Sequence, residues 1–155
     1  DAALAKRNPP IALPPDGTVD PKWPNVTFVH HSLTALNLPE KLDVVWTSQN
    51  YHDFHDKFMG PVDMAAYNKA VFDALKPGGT YVVLDHAAPG TELSATETLH
   101  RIDPAVVKTE VEAAGFKFVG EDDSLKNPAD DHSKNVFDPS IRGKTDQFVY
   151  KFKKP

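Results

Sequence analysis

The segment Ala74-Leu75-Lys76-Pro77-Gly78-Gly79-Thr80-Tyr81-Val82-Val83-Leu84-Asp85-His86 decides the fold of this chain. Pro77 lacks an amide hydrogen and cannot continue a helix, and Gly78 and Gly79 can take the positive φ of a tight turn. Tyr81 to Leu84 is the short unbroken apolar run of a strand covered on both faces, which belongs to α/β proteins. Chemistry in such sheets gathers at the carboxyl ends of the strands, and Asp85 and His86 stand there.

Working outward, residues 26–30 (Val-Thr-Phe-Val-His) and 42–46 (Leu-Asp-Val-Val-Trp) read as two further strands. Asp63 can cap a helix with Met64, Tyr67, Val71 and Leu75 at helical spacing. Asp103 caps another, with Pro104 in its first turn, Val107, Val111 and Ala114 on one face, and Gly115 as its stop. Residues 116–120 make the next strand, a polar insert fills 122–146, and residues 147–152 close the chain with an alternating strand. The order is strand, strand, helix, strand, helix, strand, strand, which predicts a mostly parallel sheet finished by an antiparallel hairpin. Ahead of it, Pro9, Pro10, Pro14, Pro15, Pro21 and Pro24 mark residues 1–25 as an irregular proline-rich connector, with residues 1–7 as the tail of a helix and Asp16-Gly17 as a turn. Residues 26–155 then belong to a single domain.

The chain has 155 residues and a formal charge of −5 with both signs interspersed. No basic stripe marks a nucleic-acid surface, and no apolar run approaches the roughly 20 residues of a membrane helix. A soluble protein is expected. Residues 1–10 lack the apolar core of a signal peptide. Without cysteine there is no disulfide framework and no thiolate chemistry.

Four stretches carry a family resemblance: residues 26–39 (Val-Thr-Phe-Val-His-His-Ser-Leu-Thr-Ala-Leu-Asn-Leu-Pro), 42–53 (Leu-Asp-Val-Val-Trp-Thr-Ser-Gln-Asn-Tyr-His-Asp), 75–85 and 142–155. In this order and spacing the chain resembles the C-terminal two-thirds of class I S-adenosylmethionine-dependent methyltransferases, most closely a group of bacterial predicted methyltransferases. The resemblance implies a Rossmann-like α/β sheet of order 3-2-1-4-5-7-6, of which this chain supplies strands 3 to 7. The glycine-rich turn after strand 1 and the acidic end of strand 2, which hold the cofactor in that family, are absent from it. Strands 1 and 2 lie between strands 3 and 4, so a sheet without them leaves unpaired backbone groups at its centre, each costing about 1 to 3 kcal/mol if buried. The expectation is therefore a preceding segment of the same polypeptide, on the order of 100 residues by ordinary domain size. The compartment is cytoplasmic by default, or periplasmic if that segment begins with an export signal. A homodimer stays open.

The same resemblance gives the site residues. Ser32 with Leu33 stands at the loop that lies along the adenine, where a hydroxyl can accept a hydrogen bond in place of the usual acid. The segment after strand 4 ends beside the methyl donor: Gln49 and Asn50 would hold the cofactor and Tyr51 would wall the acceptor pocket. His52 is the candidate general base, since an imidazole can take a proton from a hydroxyl or amine, and Asp53 can orient it. Asp85, His86, His100, Arg101 and Arg142, with Lys144, fall on loops near the expected active face, where a cation can meet an anionic substrate group. His30-His31 reads as a strand end, and Asp130, Asp131 and His132 as surface.

The implied reaction is direct displacement at the sulfonium methyl of S-adenosylmethionine by a small-molecule acceptor, which needs neither a metal nor a covalent intermediate. Two other readings compete. His52, Asp53, His55 and Asp56 suit a divalent metal, with Asp85, His86 or His100 as further ligands, and so a metal-dependent hydrolase. Alternatively, the chain is a binding relic that kept the scaffold without the chemistry.

Overall fold

Alternation along one strand sorts the molecule into a packed face and an open one. In the computed structural model, which describes residues 14–60 and 62–155, the chain falls into two compact units, one ending at Ser32 and the other Leu33–Pro155. The expected helix tail at residues 1–7 lies outside the described residues. The second unit holds a sheet of four strands: β1 (Leu42–Ser48), β2 (Leu75–His86), β3 (Lys117–Asp122) and β4 (Gln147–Lys153). Their order is β1-β2-β4-β3, with β1 parallel to β2 and β4 antiparallel to both its neighbours. An antiparallel final strand is what two adjacent strands without an intervening helix produce.

Three α-helices are described in this unit: α1 (Met64–Ala74), α2 (Thr96–Leu99) and α3 (Pro104–Ala113). The Asp63 side chain accepts from the Ala66 amide and starts α1, and Asp103 accepts from the Ala105 amide and starts α3 with Pro104 in its first turn. Both helices were legible from those caps. They set Tyr67, Val71, Val107 and Val111 against the sheet face that carries Tyr81, Val83, Phe148 and Phe152, and these side chains share one buried core with Leu75, Ile102 and Phe116. No helix among the described residues is long and apolar enough to cross a membrane.

The Lys-Pro-Gly-Gly segment departs from its expected form. It is a bulge inside β2 and not a turn ahead of it, since Leu42 pairs with Leu75 while Val44 pairs with Thr80. Gly78 has a φ of 75°, which side chains resist, whereas at Gly79 the constraint is space: a Cβ there would lie 2.8 Å from the Lys76 carbonyl oxygen.

Two further expectations are corrected. Residues 26–30 do not join the sheet as strand 3. They fold back on the preceding chain in the first unit, through a bridge of Thr27 with Val19 and hydrogen bonds between Gly17 and Phe28 and between Asp20 and Val26. Their backbone groups are thereby satisfied within that unit. Nor is β2 covered by helices on both faces. Val44 and Trp46 are 54% and 59% exposed, and with Val82, Leu84, Val119 and Val149 they line a concave, largely apolar surface of about 780 Å³. Among the described residues, β1 also has a strand on one side only.

The polar insert is anchored by an ion pair that the sequence did not disclose. Arg101 and Asp130, expected as a substrate contact and a surface acid, are both buried. The guanidinium lies 2.8 Å from an Asp130 oxygen and donates to the carbonyls of Ala87 and Lys134, while Asp130 accepts from the amides of His132 and Asp146. Burial works to raise the Asp130 pKa, but those two amides and the Arg101 charge outweigh it and hold the carboxyl below its ordinary value. Asp130→Asn, which strands a buried guanidinium, is expected to cost about 3 to 5 kcal/mol in urea unfolding. Because the native pKa is depressed, the Asp130 contribution is complete above the ordinary carboxylate value near ~4 and lost as pH falls through the native one, and the variant should lack that share of the acid sensitivity.

Candidate functional site

The carboxyl ends of the parallel strands β1 and β2 lie side by side, and the loop leaving β1 folds across the end of β2. The Gln49 amide extends the ladder by donating to the Leu84 carbonyl at 2.8 Å. Gln49 then adopts a φ of 55°, a left-handed conformation that turns the chain, while the Thr47 hydroxyl donates to the Asn50 side-chain oxygen. A single 3-10 turn, His52–His55, follows.

Asp85 sits on the same face of β2 as Tyr81 and Val83, fully buried. Its carboxylate accepts from the His52 amide at 2.9 Å, from His52 Nδ1 at 2.8 Å and from the His86 amide at 2.7 Å. A carboxylate can only accept, so the His52 proton is on Nδ1 and Nε2 points away from Asp85. Nε2 lies 3.2 Å from Asp53 Oδ1, and His100 Nδ1 approaches that same oxygen at 3.9 Å. The His52 and His100 rings meet edge to face at 5.5 Å between centroids. Burial disfavours the His52 imidazolium, but Asp85, Asp53 and Asp56 together overcome it and raise the His52 pKa. The Asp53 carboxyl is raised as well, chiefly by its own desolvation.

His100 is delivered from the opposite side. It ends α2 with a φ of 52°, and beyond it Ile102 bridges Ala87, so residues 100–102 run alongside the end of β2. Arg101 therefore points inward to Asp130 and is not available to a substrate, while His100 keeps an exposed edge. The His100 ring packs on Phe137 at 5.1 Å, and the exposed Arg142 guanidinium lies 5.9 Å from that same ring.

The structure redistributes the other expected residues. Asp53 faces the outward nitrogen of His52, and the carboxylate that orients the ring is Asp85, which is too deep to touch a substrate. Tyr51 does not wall a pocket: it is fully buried, accepting from Asn68 and donating to Glu110, each at 2.8 Å, beside Phe54 and Tyr67. The 52–56 cluster is split, because His55 turns to Glu110 at 3.3 Å and Asp56 is buried with neither carboxylate oxygen hydrogen-bonded. Gln49 and Asn50 are exposed at the end of β1, the former donating to Gln147 at 2.9 Å. Leu33 packs against the core, and Ser32 is the last residue of the first unit.

Sequence reasoning missed Phe137 and Thr145. A lone exposed aromatic in an otherwise polar insert was a usable signal for the first. Nothing local marks Thr145, whose hydroxyl meets His86 Nδ1 at 2.8 Å. Burial pushes the His86 imidazole down to about 4, against the pull of Asp85. Its ring-proton shifts should then stay flat in an NMR titration from about pH 8 to about pH 5, where an ordinary histidine turns over near ~6.5. The unfolded chain takes up this proton first, so His86 lowers stability as pH falls below that value. A native midpoint above ~6 would contradict the burial argument.

No family model matches the chain, and no curated protein matches it. Solved structures do. The N-methyltransferase NodS from Bradyrhizobium japonicum superposes with a TM-score of 0.57 at 14% identity, over 86% of this chain and 62% of its own. The glycopeptide N-methyltransferase MtfA in complex with S-adenosylmethionine gives 0.54 at 15% identity, over 83% of this chain and 60% of its own. The [4+2]-cyclase SpnF gives 0.55 at 14%, over 83% and 57%. The chain spans about three-fifths of the length of these structures. Its four-strand sheet with helices packed on one face shares the Rossmann-like α/β fold of these structures.

Proposed function

We propose that this chain is part of an S-adenosylmethionine-dependent methyltransferase acting on a small-molecule acceptor, with His52 as its general base. The observation that carries the reading is the pair of hydrogen bonds that Asp85 accepts from the amide and Nδ1 of His52, which fixes an imidazole at the carboxyl ends of two parallel strands. Ser48, Gln49 and Asn50, exposed at the end of β1, suit the polar part of a cofactor. When bound, S-adenosylmethionine supplies a methyl group already activated on a sulfonium. The chain's own work is then positional: His52 Nε2 accepts the proton of the acceptor as it attacks, Asp85 holds the ring in the required tautomer, and Asp53 offsets the charge that develops there. His86 and His100 border this position, and Phe137 with Arg142 forms a rim suited to a planar or anionic part of the acceptor.

The glycine-rich cofactor turn and the two inner strands come, in this reading, from a preceding segment of the same polypeptide. The unpaired side of β1 and the apolar surface around Trp46 support it, as does the two-fifths of each solved neighbour that this chain does not span. In a Trp23→Phe background, Trp46 fluorescence should shift to the blue when the chain is extended upstream of Asp1, and an unshifted spectrum counts against such cover.

Calorimetry of that extended polypeptide should show saturable binding of S-adenosylmethionine, and no binding would favour a non-catalytic relic. In the same protein, His52→Gln should lower kcat by about 10²-fold or more with the KM for S-adenosylmethionine unchanged. Unaltered kcat would remove His52 from the chemistry.

A further inference from the structure

We propose that His52, Asp53 and His100 bind a divalent transition-metal ion of the zinc type, with Asp85 as the residue that holds His52 in position for it. The three donor atoms, two imidazole nitrogens and one carboxylate oxygen, all lie within 4.8 Å of one another. A tetrahedral ion with bonds of about 2.0 to 2.2 Å sets its donors about 3.3 to 3.5 Å apart. The separations from Asp53 Oδ1, 3.2 Å to His52 and 3.9 Å to His100, bracket that spacing. The His100 side chain, which is partly exposed, has to move inward to close the longer of these separations.

Asp85 supplies an independent observation. A histidine that ligates a metal almost always donates its other ring nitrogen to a carboxylate or carbonyl, which fixes the tautomer and raises its basicity as a ligand. His52 already does so, at 2.8 Å, to a carboxylate with no solvent exposure. Two imidazoles and a carboxylate favour zinc, cobalt or nickel over magnesium or calcium, and three protein donors leave a fourth position open to water or a substrate oxygen. His55 and Asp56 take no part.

The inference does not rest on methyl transfer. An ion would occupy the His52 lone pair that the proposed base uses, so the metal-loaded chain holds His52 as a ligand and the metal-free chain holds it as a base. Binding is therefore read without activity, and its failure leaves the methyl-transfer reading standing.

The untagged chain, stripped with chelator, is titrated with Co²⁺. One equivalent should give the intense visible bands of a four- or five-coordinate ion, and Zn²⁺ should abolish them. Asp85→Asn should weaken the affinity by about 10- to 100-fold, as loss of such a supporting carboxylate does elsewhere. His100→Ala and Asp53→Asn, both at partly exposed positions, should each weaken it at least tenfold with circular dichroism unchanged. His132→Ala, whose ring pairs with Asp146 and with none of the three donors, should have no effect. The faint spectrum of a six-coordinate ion, or binding that survives both His100→Ala and Asp53→Asn, overturns the proposal.

Discussion

A buried carboxylate must find donors, and the carboxyl edge of this sheet is organised by how Asp85 finds three. Two come from His52 and one from the His86 amide, so a single side chain ties the loop leaving β1 to the end of β2. Leaving any of those groups unpaired would cost on the order of 1 to 3 kcal/mol, more for the charged one. The loop thus has one favourable position. His52 enters it with its tautomer fixed, and the direction of Nε2, the approach of Asp53 and the packing of His100 all follow from that one bond. Left-handed φ values at Gln49 and His100 lie on either side of this arrangement, where strained backbone tends to be retained for a site.

A second constraint acts at the scale of the sheet. Both parities of β2 are apolar, so both of its faces need cover. The helices α1 and α3 cover one, and on the other Val82 and Leu84 are buried while Val44 and Trp46 of the adjacent strand stand open among the described residues. An apolar surface of this extent together with an unpaired strand edge is what native proteins avoid exposing. Residues 26–30, β-rich as they are, pair instead with the chain just before them, because strand propensity alone does not decide which partner a segment takes.

What could be read from the sequence was local. Asp63 and Asp103 announced their helices because a cap and its amide lie within three residues, and the strands announced themselves by their apolar runs. What could not be read depended on partners far along the chain. Asp85 and His52 are 33 residues apart, Arg101 and Asp130 are 29, and His86 and Thr145 are 59. No spacing rule links such positions. Strand logic puts both His52 and Asp85 at the carboxyl edge of the sheet, but their relation, one orienting the other, is a tertiary contact that no local pattern encodes. Tyr51 failed for a related reason: an aromatic beside polar residues looks like a pocket wall until Asn68 and Glu110 are seen to take its hydroxyl into the core.

The electrostatics of the site favour a positively charged occupant. Asp53, Asp56 and Asp85 all act on one imidazole and raise its proton affinity in spite of burial, and Asp56 does so with neither oxygen compensated by a hydrogen bond. Charge of one sign concentrated in a low-dielectric setting must be balanced by something that fits. A proton on His52 is one answer. A sulfonium beside the carboxyl end of β1 is a second, and a divalent ion between His52, Asp53 and His100 is a third. Each is a cation, and each is favoured by the same three carboxylates. His86, kept neutral by burial, and Arg101, already neutralised by Asp130, add no opposing charge to the site. The fold therefore does more than position a histidine: by pairing Arg101 with Asp130 and keeping His86 neutral, it leaves the acids around His52 without relief from either of these two neighbours.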